Sequence, residues 1–207
     1  MACEKLRAGL DLSCANIVNN YYQKLVLINR GDILNKQILT SVTKRDATYD
    51  CRHRVIFNLK PDLAGFMFRI TENSSSIFGS FEKSVVENVP QYNHSVTVAV
   101  LGVNQAVKCL LKQLDNADYF AALQMYDNTV EIYGFEFGLT TNNYTFDPLN
   151  ADGGALIRLN SSSEALEDEV PYIYGGNPED LDNLFLNLPF VPHGDFNNDF
   201  NNDFNNY

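Results

Sequence analysis

Tryptophan is absent from this sequence of 207 residues, and methionine and histidine occur only three times each. Without tryptophan, the bulk of any core falls to 14 phenylalanines, 11 tyrosines and the aliphatic residues. Long hydrophobic runs are missing too. No stretch approaches the roughly 20 apolar residues that a helix needs to cross a bilayer, so no membrane partner is expected. Positive charge is scarce: 15 Lys and Arg stand against 26 Asp and Glu, for a net charge of −11. That balance argues against binding nucleic acid through its phosphates. The cysteines Cys3, Cys14, Cys51 and Cys109 have no short paired spacing. Glu4, Lys5, Arg7 and Asp11 interrupt the segment where a signal peptide would carry its apolar core. Free thiols in a reducing compartment are therefore expected.

Catalytic signatures are equally scarce. No Gly-x-Ser-x-Gly, P-loop or dinucleotide fingerprint is present. Ser-x-x-Lys occurs at Ser41–Lys44 and Ser80–Lys83, but without the Ser-Asp-Asn and Lys-Thr-Gly motifs that accompany it in serine acylases. The stretch from Asp147 to Gly153 glances at a calcium loop. Aligning Asn150 and Asp152 with loop positions three and five puts Pro148 at position one and Leu159 at position twelve, and neither can ligate. Cys51 and His53 lie two apart with no second pair nearby. His53, His94 and His193 sit in separate segments, and His94 reads as a rim residue at the start of a strand. The expectation is a protein that is not an enzyme, with no catalytic, cofactor-binding or metal-binding residues.

What is present is a strand, a helix and a hairpin between Tyr92 and Phe146. Val96, Val98 and Val100 alternate with Ser95, Thr97 and Ala99, the period of a half-buried strand. From Val103 the period changes: Val103, Ala106, Val107, Leu110, Leu111 and Leu114 fall on one helical face, and Asn104 is a candidate cap. Tyr119 to Tyr126 and Thr129 to Leu139 follow as two apolar-rich runs joined at Asp127-Asn128, a pair suited to a hairpin turn. The second run changes face at Gly134, as a bulge there would explain.

Elsewhere, Leu25 to Ile28 suits a buried strand, and His53–Leu59, Phe66–Thr71, Ile77–Val86 and Ala155–Leu159 read as further strands. Residues 33–50 fit a helix or two short strands. The body, residues 1–160, is thus expected to be mainly β with about seven or eight strands and one flanking amphipathic helix. Ser161 to Glu169 reads as a Ser-rich acidic linker, and Val170 to Tyr174 as a brief extended piece.

Asn177-Pro178-Glu179-Asp180 then starts a helix, with a capping Asn, Pro at the first position and two acids in the first turn. Leu181, Leu184, Phe185 and Leu188 form its apolar stripe before Pro189 ends it. A helix of about three turns is too short to be stable alone in water, so its stripe needs a surface, on its own body or a neighbour. The linker and this helix occupy residues 161–194. Residues 195–207 repeat Asp-Phe-Asn-Asn and close on Tyr207. Phe196, Phe200 and Phe204 recur evenly there, on a backbone of poor helix formers. The tail is either a passive extension or a tether that orders on a partner. Those seven apolar residues are the candidate partner contacts.

Met1-Ala2-Cys3-Glu4-Lys5-Leu6, Gly9 and Cys14, with Leu25-Val26-Leu27-Ile28-Asn29, Asp32 and the strand–helix–hairpin of 92–146, give residues 1–160 a recognisable pattern. It resembles the tail-tube-like or tail-barrel ring proteins of tailed phages infecting Bacteroidetes, including crAss-like phages. The resemblance implies a tail-tube-like β-sandwich or small barrel with a flanking helix. It also implies a structural virion protein, made in the host cytoplasm and assembled as a six- or twelve-fold homo-oligomeric ring in the tail. Adjacent tail or ring proteins would be its partners, and DNA would pass through the channel without specific binding. Phe120 to Leu139 would lie among the strands nearest that channel. The C-terminal arm has no counterpart in that pattern. The alternative is a head-decoration or adaptor protein that holds a virion partner through its C-terminal tail.

Overall fold

A computed structural model describes residues 22–39, 54–69, 77–100, 105–126, 128–146 and 155–176. The strands are β1 (Tyr22–Asn29), β2 (Ile33–Leu39), β3 (Arg54–Leu59), β4 (Phe66–Arg69), β5 (Ile77–Val86), β6 (Val89–Val100), β7 (Tyr119–Met125), β8 (Val130–Tyr133), β9 (Leu139–Phe146), β10 (Ala155–Ser161) and β11 (Tyr172–Tyr174). Among the described residues, helix is confined to α1 (Gln105–Leu114) and a 3-10 turn at Arg30–Asp32. The fold is mainly β, as expected, with more strands than the sequence pattern resolves.

All the strands join one sheet in the order β2-β3-β11-β8-β7-β9-β10-β6-β5, with β1 pairing the other edge of β7 and β4 pairing β1. β7 is the hub. Its residues Tyr119 to Gln124 are all buried because the sheet covers both of its faces. On one face Leu25, Leu27, Ala121 and Leu123 meet Val96, Val98, Ile157 and Leu159 from β6 and β10, together with Leu111 and Leu114 of α1. On the other, Val26, Ile28, Phe120 and Ala122 meet Val55, Phe57, Ile132, Tyr172 and Tyr174. The run Leu25–Ile28 is apolar at consecutive positions because the strand it forms is a wall between two cores. Phe120, Ala121, Ala122 and Leu123 of β7 lie inside the subunit, between the two cores.

The second core is aromatic, as the missing tryptophan requires. Phe57 packs edge-on to Phe120 (6.0 Å between centroids) and against Tyr174 (5.5 Å), while Phe135 contacts Phe120 (5.3 Å) and Tyr172 (5.0 Å). Each such pair contributes ~0.5–1.5 kcal/mol beyond area burial. In α1, Leu111 and Leu114 face the first core, as their spacing predicts. Its end is well satisfied. The Asn116 side chain donates to the Lys112 carbonyl (2.9 Å), the Tyr119 hydroxyl to that of Gln113 (3.3 Å) and Thr141 to that of Leu114 (3.3 Å).

Three sequence expectations change. Ser161–Glu169 is not a linker: Tyr92 and Glu167 exchange backbone hydrogen bonds at 2.8 and 2.9 Å, and Ser161 and Glu167 are buried. The chain then re-enters the middle of the sheet as β11, parallel to β3 and antiparallel to β8. The body therefore extends through Gly176, past the boundary expected at residue 160. Residues 33–39 are a strand. Asn104, Cys51, His53, the Ser41–Lys44 pair, the helix of 178–188 with Leu181, Leu184, Phe185 and Leu188, and the repeat with Phe196, Phe200 and Phe204 lie outside the described residues.

Candidate functional site

The expected bulge at Gly134 is an excursion of the whole segment 134–138. Tyr133 pairs with Ala121 and Leu139 with Tyr119, so residues 134–138 bulge out where only Phe120 intervenes on β7. Gly134 (φ 70°) and Gly138 (φ 91°) make its two corners, in the left-handed region that favours glycine. The loop's main chain is then tied from every side. The Gly134 amide donates to His94 Nδ1 (3.1 Å). The Glu136 and Phe137 amides donate to the two carboxylate oxygens of Glu167 (2.8 and 3.0 Å). Lys36 Nζ donates to the Phe135 carbonyl (2.6 Å) and Arg30 Nη1 to that of Phe137 (2.8 Å). The Glu136 carboxylate accepts from the Tyr172 hydroxyl (2.8 Å) and the Asp168 amide (3.0 Å).

His94 is fully buried in the middle of β6, which corrects the reading of it as a rim residue. Its Nε2 lies 3.0 Å from the Glu169 carbonyl, which can only accept, so the ring proton sits on Nε2 and Nδ1 is the acceptor for Gly134. Burial pushes this ring down to about 4, so it is neutral near pH 7. Burial also raises Glu167, partly offset by the Glu136 and Phe137 amides. Ser161 Oγ accepts from the His94 backbone amide (3.0 Å), not from the ring. Both ring nitrogens are committed to main chain, so this Ser, His and Glu grouping has no free base to offer a substrate. It is a lock on the loop.

A second polar group joins β1 to β8. The Tyr22 hydroxyl donates to Glu131 (2.8 Å) and lies 3.0 Å from the Tyr133 hydroxyl, which also donates to Glu131 (3.0 Å). Burial first, and Glu131 with it, holds both phenols well above the usual range, so they remain donors. Ser80 and Lys83 stand on opposite faces of β5, as positions three apart on a strand must. Among the described residues, no three His, Cys, Asp or Glu side chains converge where a metal ion would sit, and no helix is long and apolar enough to cross a membrane.

The unusual chemistry is on the outside. β5 and β6 form a continuous hairpin from the Ile77–Val98 pair to the Val86–Val89 pair. Glu87 and Asn88 have positive φ (51° and 67°), as a tight two-residue hairpin turn requires. The near end contributes Ile77, Val96 and Val98 to the core. The far end runs past it and leaves Phe81 (50%), Val85 (63%), Val86 (47%) and Val89 (53%) in solvent. β5 is also a sheet edge, ten residues long, and its ladder to β6 shows no bulge. Edge strands are usually shortened, bulged or heavily charged; this one carries Glu82 and Lys83 but keeps its apolar side chains. The opposite end of the strand order, β2, is likewise an edge among the described residues, with Leu34 (60%) and Ile38 (40%) exposed.

No protein-family model, curated protein or solved structure matches this chain. The fold and its surfaces therefore carry the functional reading. The residues that sequence reasoning missed are Phe78, Phe81, Val85 and Val89: they look like ordinary strand positions, and only the overhang of the hairpin exposes them.

Proposed function

We propose that this protein is a structural subunit of a homo-oligomeric ring, of six or twelve copies, in a phage tail or tail barrel, and that it has no catalytic activity. The observation that carries this reading is that, among the described residues, β2 and β5 end the strand order as open edges, with β4, paired only to β1, as a third. β2 and β5 are different in sequence and shape, and each presents apolar side chains to solvent. A head-to-tail contact joins two unlike patches and closes into a ring when its rotation permits. Two edges of one sheet that are unpaired among the described residues supply such patches, through main-chain hydrogen bonds and apolar contacts. The resemblance of residues 1–160 to virion ring proteins supports the same reading. So does the net charge of −11, which suits a channel that DNA passes without being held. Neighbouring tail or ring proteins would stack above and below.

Light scattering and negative-stain imaging of the purified chain test it. Rings or stacked tubes are expected, and Phe81→Ser with Val85→Ser should shift them to monomer while leaving the far-UV spectrum unchanged. A wild-type chain that stays monomeric at high concentration would overturn the ring and favour the head-decoration or adaptor reading.

A further inference from the structure

The turn between β1 and β2 borders a cleft of about 300 Å³ lined by Arg30, Ile33, Leu34, Asn35, Lys36 and Phe120. Two cations and three apolar side chains line it, and no carboxylate does. In a chain with 26 acids against 15 bases, that is an uncommon combination. Both cations rest on neutral groups: Arg30 on the Phe137 carbonyl, and Lys36 on the Phe135 carbonyl and over the rings of Phe120 (5.3 Å) and Phe135 (4.8 Å). Asp32 and Asp118 line an adjoining cleft with Arg30, and three of the surrounding acids already accept hydrogen bonds. Asp32 accepts from the Asn29 amide group, Glu136 from Tyr172 and the Asp168 amide, and Glu167 from the Glu136 and Phe137 amides. Burial, and then the like charge of Arg30, hold Lys36 below its ordinary range, partly offset by the Glu167 and Glu136 carboxylates.

We infer that this cleft receives the Asp-Phe-Asn-Asn repeat of an adjacent copy, with an aspartate carboxylate between Arg30 and Lys36 and the next phenylalanine against Ile33 and Leu34. The inference rests on the ring reading for the adjacent copy. Charge and shape both match. Asp195-Phe196, Asp199-Phe200 and Asp203-Phe204 each set an anion beside an aromatic ring, the pairing the cleft offers. Leu34, on the β2 edge, is 60% exposed within the subunit. Reach matches as well. The described chain ends just after Gly175, which lies against Leu39 and Arg54 at the far end of β2 from the cleft. Residues 177–194 span at most on the order of 60 Å when extended, several times the ~20 Å length of β2, which is reach enough to pass its own subunit's cleft and enter that of a neighbour. Three copies of one motif raise the effective concentration at a single cleft.

The test uses the full chain with p-benzoylphenylalanine in place of Phe200, assembled from equal amounts of ¹⁴N- and ¹⁵N-labelled protein and irradiated. Cross-links joining the repeat to residues 30–36 are expected, about half of them of mixed isotope. Asp195→Asn, Asp199→Asn and Asp203→Asn together leave the body untouched and should lower that yield roughly tenfold or more. Cross-links at these sites that never mix isotopes would place the tail on its own subunit and overturn the proposal, as would cross-links elsewhere or a yield insensitive to the triple variant. If rings form without these cross-links, the cleft assignment fails and the ring stands. If no rings form and no mixed cross-links appear, both fail.

Discussion

His94 makes the stability of this protein depend on acid in a way that can be worked from its contacts. The neutral ring donates from Nε2 to the Glu169 carbonyl and accepts at Nδ1 from the Gly134 amide, and its ring packs edge-on to Tyr133 (5.5 Å between centroids). Protonating Nδ1 turns it from acceptor to donor and sets it against the Gly134 N–H. The folded value is pushed from 6.5 to about 4, chiefly by burial. At ~1.4 kcal/mol per unit, this difference is worth about 3 kcal/mol. The unfolded chain binds the proton first, so the stabilisation is present above 6.5 and is lost as pH falls through 6.5 toward 4. Glu167 works in the opposite direction. Burial raises its folded value, so the stability linked to its protonated form is present at low pH and lost as pH rises through that value. Comparison with His94→Asn at each pH separates the two. Asn keeps an acceptor for Gly134 but loses the Glu169 bond and the ring contact, for a cost of about 2–4 kcal/mol near pH 7. Urea unfolding followed by circular dichroism should show the gap between wild type and variant closing by about 3 kcal/mol between pH 7 and pH 4. A gap that stays constant would mean that His94 does not carry the neutral ring described, and the lock on the loop would be wrong.

Three further outcomes follow from the packing. Leu111→Ala should destabilise the subunit by ~2–5 kcal/mol, the usual range for a buried leucine truncation, and a change below about 0.5 kcal/mol in urea would mean that α1 is peripheral. Gly134→Ala puts a Cβ 2.6 Å from the Leu139 side chain at a positive φ, so a loss of roughly 2 kcal/mol or more is expected in the same assay. Glu167→Gln turns one amide group toward the Glu136 and Phe137 N–H groups, leaves one donor unsatisfied and should cost ~1–3 kcal/mol; hydrogen exchange at those two amides should rise with it.

The sequence by itself determined the elements whose partners are periodic or local. Alternation in Val96, Val98 and Val100, the helical face ending in Leu111 and Leu114, and the apolar block Leu25–Ile28 each state their own conformation, because a strand or helix with one buried face must repeat at the period of its backbone. Tertiary structure alone decided the rest. Three residues, Tyr172–Tyr174, are too few to show a period, and β11 exists because β3 and β8 leave a gap of one strand between them. Glu167 and His94 read as surface residues because polar side chains usually are; their burial depends on amides and a carbonyl supplied by distant segments, Glu136, Phe137 and Gly134 among them. The same holds for the surfaces. Phe57 and Phe81 occupy alternating strand positions that look alike in sequence, yet one is buried and the other half-exposed, because only the paths of the neighbouring strands decide where the body ends.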